Sequence, residues 1–88
     1  MANSKQAEKR HRQNLVRRSR NRAYTSRMRT AMKNLRSAVE AQDAATAEKL
    51  LPETLSIIDV TAQKKVIHRN TAARYKARLS KAVSSLAS

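Results

Sequence analysis

Apolar residues recur at helical spacing along residues 24 to 39. An advance of 100° per residue places this apolar set on one face, about 120° wide. The set comprises Tyr24, Met28, Ala31, Met32, Leu35, Ala38 and Val39. Arg29, Lys33 and Arg36 fall on the opposite side. The pattern predicts an amphipathic helix with a core-facing side and a cationic back.

A second helix is predicted after Asp43, whose carboxylate is suited to accept hydrogen bonds from first-turn backbone N–H groups. Its apolar face comprises Ala47, Leu51, Leu55, Ile58 and Ala62, with Leu50 and Ile57 at the edge. Pro52 interrupts this pattern, because it cannot donate to the carbonyl of Glu48 and disfavours helical geometry at the residue before it. Either the helix kinks there, or a first turn ends and Pro52 begins a new helix. We favour the kinked helix, since the apolar stripe keeps its phase.

A third helix begins within residues 63 to 70, and its start is left open at this stage. Its apolar face comprises Ala72, Tyr75, Leu79, Ala82, Val83 and Leu86. The chain has no Gly, one Pro and two aromatic residues, which disfavours strands and their turns. The sequence therefore predicts a single all-α domain over residues 1–88, in which residues 24–88 form an antiparallel three-helix bundle.

The segment before Tyr24 has no core-facing side. Arg10 and Arg17 occupy the angle that the apolar stripe holds later, and other arginines cover most remaining directions: Arg12, Arg18, Arg20 and Arg22. Such a segment is either a solvated, disordered tail or a helix whose neutralising partner is another molecule. We expect disorder in the free protein and helix in a complex. One helix from about residue 6 to 41 would be about 50 Å long and would project beyond the bundle.

Charge is distributed in three blocks along the chain, whose net charge is +14. Residues 1–36 carry +11, residues 37–60 carry −4 and residues 61–88 carry +7. Two basic ends that flank an acidic middle predict that the ends face a polyanion. On the third helix, one side carries Asn70, Arg74, Arg78 and Lys81, and we name these four residues the α3 row. The planar guanidinium group of arginine can donate two parallel hydrogen bonds to phosphate oxygens. We therefore expect the partner to be the backbone of a nucleic acid.

Other chemistry has little support in the sequence. Without cysteine there is no disulfide or thiolate metal site, and without glycine there is no glycine-rich phosphate loop. His11 and His68 each lack a nearby carboxylate or second ligand at helical spacing. We therefore expect no enzyme activity, metal, cofactor or small-molecule substrate. No long apolar run is present, so we expect neither export nor a membrane span, but a cytoplasmic protein.

Phosphates alone do not distinguish RNA from DNA. Both tyrosines lie on apolar stripes and are expected in the core, which disfavours base stacking and favours recognition of RNA shape. The main alternative is a DNA-packaging protein of the nucleoid type, which the charge equally allows. A third alternative, a membrane-active cationic peptide, is weak because residues 9–22 lack the apolar face of an interfacial helix.

The run "IHRNTAARYKARL", residues 67–79, is the most specific motif of the chain. Together with the opening "MANSKQAEKRHRQNLVRRSRNRAYTSRMRT" and the acidic, Ala-rich middle, it closely resembles the bacterial small-subunit ribosomal protein S-twenty family. The resemblance covers essentially the whole chain. It implies a three-helix protein of the ribosome with a long first helix, which binds 16S ribosomal RNA directly and acts early in subunit assembly. Residues 1–23 would become ordered on that RNA, and few protein neighbours are expected.

The resemblance also implies which residues contact RNA: Arg10, Arg17, Arg18, Arg22, Arg29, His68, Arg69, Asn70, Arg74 and Arg78. The charge pattern adds Arg12, Arg20 and Lys81 as candidates. Two positions depart from the family pattern. Lys65 stands where family members often have a glycine before the Ile-His pair, and Pro52 stands earlier than a second-helix proline is expected.

Overall fold

The computed structural model describes the backbone of residues 2–87 and the side chains of residues 5–86. Three helices follow one another: α1 spans Ala2–Glu40, α2 spans Ala44–Gln63 and α3 spans Arg69–Ala87. Within residues 2–87 there is no strand, and the all-α prediction is confirmed. The helices form an antiparallel bundle in which α2 packs on both α1 and α3, while α1 and α3 contact each other least.

Helix α1 extends well beyond the bundle, as predicted. The molecule measures 66 × 21 × 15 Å, and its radius of gyration is 17.7 Å. A compact chain of this length would have a radius of gyration of about 12 Å. Along α1 the described side chains are exposed up to Ala23, and burial begins at Tyr24. Met28, Met32 and Leu35 are then buried, which confirms the predicted core-facing side of α1.

The core of the bundle is small, and its buried apolar residues are Met28, Met32, Leu35, Ala38, Ala47, Ile58, Ala72, Leu79 and Val83. The buried face of α2 is rotated from the predicted one. Thr54 and Thr61 are fully buried, whereas Leu51 and Leu55 are half-buried. Because α2 packs against two helices, its most buried line lies between them. Each threonine hydroxyl donates to a carbonyl four residues earlier, Leu50 at 2.9 Å and Ile57 at 2.7 Å.

The N-terminal cap of α2 forms as predicted. The Asp43 carboxylate accepts the Thr46 backbone N–H at 3.2 Å and the Thr46 hydroxyl at 2.6 Å. These two bonds hold the pKa of the Asp43 carboxyl below its ordinary value, and the bond from the Thr46 hydroxyl has the larger effect. Helix α2 continues across Pro52 without a break. The alternative of a new helix that begins at Pro52 is therefore wrong.

Two residues after the end of α1 and of α2 the backbone enters the left-handed region, at Gln42 with φ 57° and at Lys65 with φ 61°. Behind Lys65, the Val66 N–H donates to the Thr61 carbonyl at 3.1 Å, the six-to-one hydrogen bond of a Schellman motif. A left-handed backbone favours glycine, which has no Cβ. The glycine expected near this turn from the family resemblance would suit this backbone, and Lys65 adopts the same left-handed conformation with a Cβ.

Candidate nucleic-acid interface

The first half of α1 is a bare cationic helix. Every described side chain from Lys5 to Ala23 is exposed, and eight of these nineteen residues are lysine or arginine. The candidates on this stretch are Arg10, Arg12, Arg17, Arg18, Arg20 and Arg22. They point in several directions around the helix axis, so no single flat surface could contact all of them. The arrangement suits a partner that surrounds the helix on more than one side.

A second group of candidates lies where α3 begins. The Nδ1 atom of His68 accepts a hydrogen bond from the Asn70 backbone N–H at 3.0 Å, so the imidazole caps the first turn of α3. His68, Arg69 and Asn70 are all exposed. Because Nδ1 accepts this bond, Nε2 is the ring nitrogen that can donate to a partner. The sequence predicted His68 as a contact residue but gave no sign of this cap.

The α3 row is exposed along its whole length, at Asn70, Arg74, Arg78 and Lys81. Its orientation follows from Lys76, whose Nζ lies 2.7 Å from Asp59 Oδ1 on α2. At 100° per residue, Arg74 and Arg78 each lie about 160° around the helix from Lys76. The α3 row therefore faces away from α2. Arg29, Lys33 and Arg36 are likewise exposed on α1, outside its core-facing side.

Most cations of the chain have no internal counter-charge. Among residues 5–86, Lys76 is the only lysine or arginine in contact with a carboxylate. The acidic side chains Glu48 and Glu53 are exposed on α2, away from the α3 row. The charge blocks of the sequence thus become a spatial division, with an acidic α2 and cationic surfaces on α1 and α3. Unpaired arginines on two helices can neutralise phosphates on two separate backbone segments.

The candidate list omitted cations that the structure leaves equally exposed. Arg27, Lys33 and Arg36 on the second half of α1 are exposed in the same way as Arg29. Lys33 and Arg36 follow Arg29 at helical spacing, four and seven residues later, and that spacing could have identified them. Over the described part of the chain, no group of three or more His, Asp or Glu side chains is placed to hold a metal ion. No described helix is both long and apolar enough to cross a bilayer.

Comparison with known proteins gives one consistent family. The family model described as ribosomal protein S20 matches residues 2–84. The chain is 51% identical over 87 residues to the small ribosomal subunit protein bS20 of Desulfatibacillum aliphaticivorans, with 99% of each chain covered. It is 49% identical over 86 residues to the protein of the same name from Nitrosomonas eutropha, with 98% of this chain and 99% of that one covered. For the Koribacter versatilis protein of that name, the identity is 52% over 80 residues, or 91% of this chain and 90% of that one. Since the family model and these relatives cover nearly the whole chain, it belongs to the ribosomal protein S20 family.

Proposed function

We propose that this protein is a non-enzymatic structural component of the small ribosomal subunit, which binds 16S ribosomal RNA directly and supports subunit assembly. The proposal is supported by its relatives, which are named as proteins of the small ribosomal subunit. The observation that carries direct RNA binding is the first half of α1. It is a helix with eight cations, one acidic residue and no protein surface to pack against.

The proposed mechanism is charge neutralisation at two separate places. The first half of α1 enters between RNA segments whose phosphates repel one another, and its arginines contact phosphates on several sides. The α3 row and the cap region around His68 contact a further segment. Because α2 is acidic and contacts both other helices, it would face away from the RNA. Its role is to hold the two cationic helices at a fixed distance.

The helix of residues 2–23 depends on its partner in this proposal. Arg18 and Arg22 are four residues apart on the helix surface, and like charges at this spacing destabilise a helix by about 0.2–0.5 kcal/mol per pair. No burial offsets this repulsion, since the described side chains there are all exposed. Phosphates remove the repulsion, so helix formation and RNA binding would be coupled. Coupled folding costs about 2–5 kcal/mol of the interaction energy or more, and this makes affinity sensitive to how well the RNA is folded.

Circular dichroism tests the coupling. The protein is titrated with a folded small-subunit rRNA fragment, and the ellipticity at 222 nm is corrected for the RNA alone. We expect helicity to rise substantially, with the increase confined to residues before Tyr24 when backbone amides are followed by NMR. No rise would refute the coupled folding, and a rise within residues 24–87 alone would assign it to the wrong part of the chain.

Competition distinguishes the RNA function from DNA packaging. Labelled small-subunit rRNA fragment is displaced by unlabelled rRNA fragment or by duplex DNA of the same phosphate content, at one fixed salt concentration. We expect the rRNA fragment to compete far better than the DNA. The cationic surfaces of α1 and α3 are held at a fixed distance, which suits two backbone segments of a folded RNA and not a single straight duplex. Equal competition by both nucleic acids would favour the nucleoid-type alternative.

A further inference from the structure

Helix α1 borders two open grooves, one on each side of its core-facing stripe. The groove shared with α2 has a volume of about 410 Å³, and its rim includes Arg27, Asn34 and Glu53. The cleft on the other side has a volume of about 340 Å³ and is lined by the second half of α1, the residue Ile67 before α3 and Tyr75 of α3. We name the second one the α1–α3 cleft. It lies between α1 and α3, which contact each other less than either contacts α2.

The two grooves differ in their chemistry. Glu53 places a carboxylate on the rim of the α1–α2 groove, and no aromatic residue lines it. The α1–α3 cleft has no carboxylate among its lining residues. Its rim carries Arg29 and Arg36 instead, and neither has a carboxylate partner among the described residues. The α1–α2 groove thus has one cation and one carboxylate on its rim, whereas the α1–α3 cleft has two cations and no carboxylate, so the cleft is the more favourable site for an anion.

The floor of the α1–α3 cleft is apolar and includes an aromatic ring. Met28 and Met32 form its base, and Tyr75 packs against the core while it also lines the cleft. The Tyr75 hydroxyl makes no hydrogen bond to any described residue. Tyr75 is also half-buried, so its hydroxyl is accessible to a ligand. This departs from the sequence-based expectation that both tyrosines belong to the core.

We propose that the α1–α3 cleft receives a single unpaired RNA base, which contacts Tyr75 while its flanking phosphates contact Arg29 and Arg36. The proposal rests on the RNA-binding function proposed above and names the RNA feature that this site would take. An extrahelical base combines an apolar face with an anion on each side, and the cleft offers the complement of both. Arg29 and Arg36 are seven residues apart, or about 10 Å along the helix axis, so they can reach phosphates on both sides of one base.

The volume also fits one base. Sites for small molecules have volumes of roughly 300–1,000 Å³, and the α1–α3 cleft lies at the lower end of that range. Nucleobases stack on tyrosine with little dependence on their identity, because every base has a π-face. The proposed site would therefore recognise an unpaired base as a structural feature of the RNA, without strong preference for one sequence.

Tyrosine fluorescence tests the site, since the chain has two tyrosines and no tryptophan. In a Tyr24→Phe protein, Tyr75 is the only fluorophore. This protein is titrated with an RNA hairpin that carries one bulged adenine, and with the same hairpin fully paired. We expect the bulged hairpin to quench Tyr75 and to bind roughly tenfold more tightly, the order expected for one stacked base. The paired hairpin should bind by charge alone and leave the fluorescence nearly unchanged.

Two matched variants locate the effect. Thr25→Leu puts a larger side chain into the α1–α3 cleft, and Thr30→Leu makes the same change in the α1–α2 groove. Both proteins are first checked for unchanged helicity. We expect Thr25→Leu to abolish the preference for the bulge and Thr30→Leu to keep it. Equal binding of both hairpins, or equal behaviour of the two variants, would overturn the cleft proposal but not RNA binding. Binding of neither hairpin would overturn both.

Discussion

The α3 row can be tested by removing two of its charges together. Arg74→Ala with Arg78→Ala changes two exposed side chains that contact no carboxylate. Lys76→Ala is the control, because it removes a cation from the same helix, between those two positions. Lys76 faces α2 and is already neutralised by Asp59. If the α3 row contacts phosphates, the double variant should weaken RNA binding and its salt dependence, and the control should change neither appreciably.

The expected magnitude follows from counterion release. Each phosphate contact contributes about 0.7–0.9 to the slope of log K against log salt concentration. Loss of the contacts of Arg74 and Arg78 should therefore flatten the slope by about 1.4–1.8. Between 50 and 200 mM salt, the affinity of the double variant should then fall roughly tenfold less than that of the unmodified protein. Fluorescence anisotropy of a labelled small-subunit rRNA fragment, measured at several salt concentrations, gives both slopes.

Two results would refute this reasoning. An unchanged slope in the double variant would mean that the α3 row faces water in the complex. If the slope in Lys76→Ala falls by about half as much as in the double variant, each removed cation has the same effect. The experiment would then measure only net charge, independent of the side of α3 on which the charge lies. The bundle should stay folded in both cases, since exposed substitutions of this kind usually change stability by less than about 0.5 kcal/mol.

Three further predictions concern the stability of the bundle. Leu35→Ala removes a side chain with 0% exposure and should lower the free energy of unfolding by about 2–5 kcal/mol. Leu15→Ala, at a residue with 48% exposure, should change it by less than about 0.5 kcal/mol. Both are measured by urea titration, and equal losses would contradict the division of α1 into two halves. Gln42→Gly should raise stability by about 1 kcal/mol and the melting temperature by about 4–8 °C, because a left-handed residue no longer carries a Cβ. A lower melting temperature would contradict this. The carboxyl of Asp43 has a lowered pKa, so its contribution is present above its unfolded-state pKa and is lost as pH falls through the folded value. Asp43→Ala should therefore lose less stability than the unmodified protein between pH 5 and 2, and parallel pH profiles would exclude this cap effect.

The buried faces of α1 and α3 were predictable from the periodicity of apolar residues. On α1 and α3 every residue of the apolar stripe is buried or half-buried, because each helix turns one face to the core. The Asp43 cap was predictable for a similar reason, since its geometry depends only on residues within one turn. Local patterns of this kind are set by the helix itself and need no knowledge of the tertiary structure.

The buried face of α2 was predicted less well, and the reason is its position between two neighbours. Hydropathy placed Leu51 and Leu55 on the predicted core face, yet the structure leaves both half-buried and fully buries Thr54 and Thr61, which lie beside that face. A threonine in a helix can satisfy its hydroxyl on the carbonyl four residues earlier, so its methyl group packs like that of a small apolar residue. Hydropathy scales count the threonine hydroxyl as polar and take no account of its hydrogen bond to a carbonyl of the same helix.

For the candidate interface, exposure could be predicted and arrangement could not. The segment before Tyr24 has no apolar stripe that could face a core, so the exposure of its arginines follows from the sequence alone. The cap made by His68 and the cleft beside Tyr75 depend on how α3 begins and how it approaches α1. Contact with RNA remains a prediction for every one of these residues.

The two halves of α1 draw their stability from different sources. After Tyr24, burial of Met28, Met32 and Leu35 against the other helices stabilises the helix whether or not a partner is present. Before Tyr24 the helix has only its intrinsic propensity, opposed by repulsion among its arginines. A change in salt or in bound polyanion should therefore shift the helicity of the first half while it leaves the bundle nearly unaffected. One continuous helix would in this way join a permanently folded domain to a segment whose order depends on the RNA around it.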